Sequence, residues 1–95
     1  MYIVLLTFAE NKDRLADFLE AHKAWLHLGF EEGVFLLAGS LQPGLGGGIL
    51  AHDTSLAALQ QRINQDPFVA AKVVNPQIME ITPSLTDPRL QFLVE

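Results

Sequence analysis

Residues 34–52 read VFLLAGSLQPGLGGGILAH, and the character of this stretch decides the fold. Val34-Phe35-Leu36-Leu37-Ala38 is a continuous apolar run between Gly33 and Gly39, short for a helix and apolar enough to be a strand covered on both faces. Gly48-Ile49-Leu50-Ala51-His52 is a second such run. Between them, Gln42-Pro43-Gly44-Leu45-Gly46-Gly47 is turn material. The stretch therefore predicts a hairpin, supplying the second and third strands.

Upstream, Leu15, Phe18, Leu19, His22, Trp25, Leu26 and Phe30 recur at spacings of three and four, which is one stripe on a long helix. Asp17, Glu20, Lys23, His27 and Glu31 lie mostly on the other side and mark a solvent face. Asn11 or Asp13 is expected to cap this helix, and Gly33 to stop it. Before it, Tyr2 to Phe8 is β-branched and aromatic, the first strand, with apolar residues on both faces. Downstream, Asp53 or Thr54 is expected to cap a second helix whose Leu56, Leu59, Gln60 and Ile63 share a face and which ends near Gln65. Asp66-Pro67-Phe68 opens a short helical turn reaching Lys72. Gln77 to Thr82 then alternates as a fourth strand, with Ile78, Glu80 and Thr82 opposite Met79 and Ile81, and Pro83 closes it.

The order strand, helix, strand, strand, helix, strand predicts an α+β, ferredoxin-like βαββαβ domain over residues 1–95: a four-stranded antiparallel sheet with both helices on one face. Residues 84–95 form a C-terminal extension too apolar to hang free, since it holds Leu90, Phe92, Leu93 and Val94. One consequence concerns assembly. Strands apolar on both faces but covered by helices on only one leave an exposed apolar patch. A homodimer packed sheet against sheet removes it.

Composition narrows the function. The six bases are scattered and the net charge is −5, so nothing resembles the positive face that nucleic acid requires. No run approaches the length of a bilayer span. Tyr2–Phe8 lacks the basic leader and cleavage site of a signal peptide. With no cysteine, thiolate metal sites and disulfides are absent, as fits the cytoplasm. His22 and His27 are about 140° apart around a helix and His52 has no ligand-spaced partner, so no metal is expected. The glycines at 44, 46, 47 and 48 fail the phosphate-loop patterns and belong to the hairpin.

Two residues carry candidate chemistry. His22 interrupts the apolar stripe of the first helix, where an imidazole needs a hydrogen-bonding partner. It is either a satisfied structural histidine or a general acid/base. Asp66 reads as an N-cap ahead of a proline at the first helical position. It also reads as the carboxylate that orients His22 and stabilises its protonated form. Both roles are compatible, because a capping carboxylate has a second oxygen. Ser40, beside Gly39, begins a turn or contacts a substrate oxygen. Leu5, Trp25, Leu37 and Phe68 are expected to line an apolar pocket.

These residues resemble the YCII-related (YciI-like) family over about residues 2 to 83. The matching elements are His22 followed four residues later by Leu26, Gly33 before Phe35-Leu36-Leu37-Ala38-Gly39, a glycine-rich hairpin, and Asp66-Pro67-Phe68 as an Asp-Pro-aromatic motif. The resemblance implies a dimeric α+β barrel of ferredoxin-like protomers, with His22 and Asp66 at the family's His-Asp site. It also implies cofactor-independent dehydrochlorination or isomerisation of a small cyclic molecule, by likeness to muconolactone isomerase. Lys72 departs from the family pattern, standing where a glycine is common, and the extension beyond Pro83 is an added element. Two other functions use the same cleft: a non-catalytic dimer that binds a small molecule, and a cofactor-free monooxygenase.

Overall fold

The structure is a computed structural model and describes residues 1–94. Four strands, β1 (Tyr2–Phe8), β2 (Phe35–Leu41), β3 (Gly46–Ala51) and β4 (Val74–Glu80), form one sheet in the order β2-β3-β1-β4, with every neighbouring pair antiparallel. The connections carry α1 (Leu15–Glu31), α2 (Leu56–Asn64) and a single helical turn, α3 (Pro67–Ala70). This is the ferredoxin-like α+β arrangement expected from the order of elements.

Alternation along β1 sorts the two faces. Tyr2, Val4 and Leu6 are buried in one core cluster with Trp25 of α1, Leu59 and Ile63 of α2, and Phe68 of α3. Ile3 and Leu5 point the other way. The helices thus cover one face, and the opposite face presents Ile3, Leu5, Leu37, Leu41 and Leu50 around a shallow groove. On this face Leu37 is 55% exposed and Met79 46%. Pro76 causes no conflict in β4, because that strand is an edge of the sheet.

Two glycines are required by the backbone or by packing. Gly33 has φ +75°, the left-handed conformation that ends α1. Gly29, inside α1, lies so close to the Phe35 ring that a Cβ there would overlap it, which lets helix and sheet approach at this point. Phe35 in turn meets Trp25 edge-on at 5.2 Å and Phe30 at 6.0 Å.

Several local expectations need correction. The residue before α1 is Arg14, reached through a 3-10 turn at Lys12–Arg14, and neither Asn11 nor Asp13 caps the helix with its side chain. α2 is capped by Ser55, whose Oγ accepts from the Ala58 N–H at 3.1 Å; Asp53, with φ 54°, belongs to the preceding turn. β4 begins at Val74, earlier than its alternation indicates, because Phe8 pairs with Val74 and draws the non-alternating start into the sheet. Of the extension at 84–95, Pro88–Leu93 forms a 3-10 helix that sets Phe92 edge-on to His52 at 5.5 Å; Glu95 lies outside the described residues. Among the described residues no helix is long and apolar enough to cross a membrane.

Candidate active site

α1 and α3 bring His22 and Asp66 together. The Asp66-Pro67-Phe68 segment forms the helix start it encodes: Asp66 is extended (φ −61°, ψ 123°), Pro67 occupies the first turn, and the Phe68 N–H donates to Asp66 Oδ1 at 3.0 Å. The same oxygen lies 2.7 Å from His22 Nδ1. A carboxylate only accepts, so Nδ1 carries the proton and Nε2 is left as the free ring nitrogen. The oxygen that caps α3 is also the one that holds the imidazole.

The pair sits in apolar surroundings. The Asp66 side chain is fully buried and the His22 side chain 13% exposed. The Phe68 ring stacks on the imidazole, with centroids 4.0 Å apart and planes within 8°. Asp66 Oδ2 is buried without a partner among the described residues, so the carboxylate's strong contacts all converge on Oδ1. Such a pair is held in one geometry, because an unpaired buried charge is expensive.

The far end of α3 is anchored as well. Val73 N–H donates to Phe68 O at 2.9 Å and Lys72 N–H to Val69 O at 3.1 Å, with Lys72 at φ 58°. This is the Schellman pattern, in which the residue after the helix takes the left-handed conformation. Asn11 Nδ2 donates to Ala71 O at 2.9 Å and its N–H to Lys72 O at 3.0 Å. Sequence reasoning placed Asn11 at the start of α1; its side chain instead satisfies the end of α3, a long-range role that no local pattern announces.

His22 opens onto a cavity of about 340 Å³ between α1 and the sheet. Its roof is Leu15, Leu19, His22, Lys23 and Leu26 of α1 with Phe68, and its floor includes Leu6, Ala38, Ser40, Gly47 and Ile49. Ser40 and Phe68 therefore stand at the cavity as expected. Leu5, Leu37 and Trp25 do not. Leu5 is out of phase with Val4 and Leu6 and faces the opposite groove. Leu37 is turned outward by a bulge: Phe35 pairs with Ala51 but Leu37 with Leu50, so the unpaired Leu36 shifts the alternation by one residue. Trp25 lies in the core behind the histidine, 5.7 Å between ring centroids, with its Nε1–H donating to Arg62 O at 3.0 Å. Lys23 also borders the cavity, but its side chain is 55% exposed and its Nζ lies 3.9 Å from Glu20 Oε1, in keeping with the solvent face that its place on α1 indicates.

The arrangement is a fixed imidazole with one free nitrogen in a mostly apolar cleft that Ser40 also borders. It can transfer a proton to or from a small bound molecule. Among the described residues no three of His, Asp and Glu converge on a metal-sized site.

Fold and site together define a ferredoxin-like α+β protein with a His-carboxylate pair in a cleft between helix and sheet. Among solved structures, the chain is similar to 5-chloro-2-hydroxyhydroquinone dehydrochlorinase from Burkholderia phenoliruptrix AC1100, in a complex with 2,5-dihydroxybenzoquinone. The TM-score is 0.68 at 14% identity, covering 85% of this chain and 93% of that one. No protein-family model matches the sequence, and no curated protein matches it.

Proposed function

We propose that this chain is a YciI-like protein, a homodimer joined through its sheet faces, that performs cofactor-independent proton-transfer chemistry of lyase or isomerase type on a small cyclic molecule. One observation carries the reading: the 2.7 Å contact between His22 Nδ1 and the buried Asp66 carboxylate, beside a cavity of ring-accommodating size. His22 Nε2 exchanges the proton. Asp66 fixes the tautomer and stabilises the charge that develops on the ring. Ser40 donates to a substrate oxygen.

The similarity to a dehydrochlorinase complexed with a dihydroxyquinone supports the substrate class, a hydroxylated six-membered ring. Net loss of HCl removes one proton and one chloride and needs no electron acceptor. A general acid/base supplies what such a step requires, and effects of about 10²–10⁴-fold are usual for such a group. The cysteine-free sequence is in keeping with a cytoplasmic setting.

The test is chloride release from chlorinated di- and trihydroxybenzenes, followed with an ion-selective electrode. Wild type should turn over at least one such compound. His22→Ala should lose turnover by at least about a hundredfold while its circular dichroism spectrum stays that of the folded protein. Equal rates for wild type and His22→Ala would end the proposal. Unfolding of His22→Ala would mark the histidine as structural, and His22→Gln then tests the proton-transfer role without emptying the site.

A further inference from the structure

The hairpin brings three glycines, Gly46, Gly47 and Gly48, to the start of β3, and they are not equivalent. Gly46 has φ +135°, and a Cβ there would run into the Leu6 carbonyl, so its backbone demands glycine. Gly48 faces away from the helices, where a Cβ would press on the Leu41 side chain at 3.2 Å. Gly47 has neither constraint. Its φ lies outside the left-handed region, and the nearest atom to an added Cβ is the Gly39 carbonyl oxygen at 3.5 Å, an ordinary contact.

The register shows where the missing side chain would point. Gly47 pairs with Leu6 on one side and Ser40 on the other, and directly paired residues present their side chains to the same face. Leu6 is buried beneath the helices. A side chain at position 47 would therefore rise from the cavity floor, between Ser40 and Leu6, toward the roof that carries His22. A glycine within a strand weakens it and often marks close approach of a ligand. Here neither φ nor packing explains it, and the open space lies in the candidate site.

We propose that Gly47 determines the specificity of this cleft: its bare backbone is the floor on which a flat ring lies, under the imidazole of His22 and beside the Ser40 hydroxyl. The inference rests on the proposed function for the location of the site, but not on the chemistry performed there. Any side chain at position 47 narrows the slot between β3 and α1 from below. With no side chain there, a flat ring rests against the backbone over its whole face, and a puckered ring, touching it at fewer atoms, is held less well.

The experiment uses 2,5-dihydroxybenzoquinone, hydroquinone and cis-1,4-cyclohexanediol as probes, with binding to wild type, Gly47→Ala and Gly47→Val followed by amide chemical shifts in two-dimensional NMR. Wild type should bind at least one planar probe, with shifts at Gly47, Ser40 and His22, and should bind the puckered diol less well. Gly47→Ala should weaken binding several-fold and Gly47→Val by at least about tenfold, as expected for one to three methyl-sized intrusions into a fitted space. The thermal midpoint should hold or rise, since valine favours a strand more than glycine does. Equal affinity of Gly47→Val and wild type for a planar probe would overturn the proposal. So would failure of every planar probe to bind wild type, or tighter binding of the diol. Turnover separates this from the enzymatic reading. If wild type binds a planar probe, Gly47→Val weakens that binding and wild type shows no turnover, the chemistry has failed while the role of Gly47 stands.

Discussion

At Asp66 one carboxylate oxygen carries two obligations, the Phe68 N–H at 3.0 Å and His22 Nδ1 at 2.7 Å, and substitutions can separate them. Asp66→Ala removes the cap, worth about 1 kcal/mol. It also leaves the inward ring nitrogen of His22 unsatisfied, worth about 1–3 kcal/mol more. Urea denaturation should therefore show a loss of about 2–4 kcal/mol for Asp66→Ala. Asp66→Asn retains an oxygen for the cap and should lose about half as much. Turnover should not follow stability. Asp66→Asn keeps an acceptor for Nδ1–H but no longer balances the charge that develops on the ring, so it should be nearly as inactive as Asp66→Ala. Activity that tracks stability across the two variants would reduce Asp66 to a cap. The pair's two residue types were legible in the sequence because each broke a local pattern, a histidine in an apolar stripe and an Asp-Pro turn before an aromatic. Their contact, 44 residues apart along the chain, was expected from the pairing of a histidine with a carboxylate and from the family resemblance, not from any local pattern; what the sequence could not show is that the cap and the histidine share a single oxygen.

Between α1 and β2 the spacing is set by Gly29 against Phe35, and opposing effects on a helix can be ranked there. Alanine is intrinsically better than glycine in a helix by about 1 kcal/mol. At position 29, however, the new Cβ would overlap a ring already fixed by Trp25 and Phe30, and overpacking of this kind costs about 1–3 kcal/mol. With both neighbours of the ring aromatic, the upper end applies. Gly29→Ala should then destabilise by about 2 kcal/mol in denaturant titration, net of its propensity gain. A rise in stability would mean that the ring moves aside freely. The element order was legible because periods of 3.6 and 2 are local. What escaped were features decided across elements: the cap that fell to Ser55, the bulge at Leu36, and the tie from Asn11 to the end of α3. Lys72 shows the same division. A lysine there gives no local sign of an unusual backbone, and its φ of 58° places it in the left-handed conformation that favours glycine.

At the scale of the whole molecule, the two faces of the sheet are linked through the β2–β3 end. Gly39, Ser40, Gly48 and Ile49 border both the cavity beneath α1 and the apolar groove on the opposite face. The continuous apolar runs of the hairpin forecast that second face, since one layer of helices cannot cover both. A second sheet stacked on it, at the roughly 10 Å spacing of packed sheets, would bury Leu37 and its neighbours and brace the strands that form the cavity floor. Leu37 is the position for the test, because at 55% exposure in the protomer it contributes little to the protomer's own core. Leu37→Glu places a charge in the proposed interface and in solvent otherwise. Wild type should elute with twice the 10.5 kDa protomer mass, and Leu37→Glu as a folded protomer when light scattering follows gel filtration. Because the interface backs the cavity floor, the variant should also bind planar probes more weakly, although residue 37 points away from the cavity. A wild-type protomer at micromolar concentration would remove the dimer from the proposal. A protomeric Leu37→Glu with undiminished binding would show instead that the floor formed by Ser40 and Gly47 is rigid without a partner.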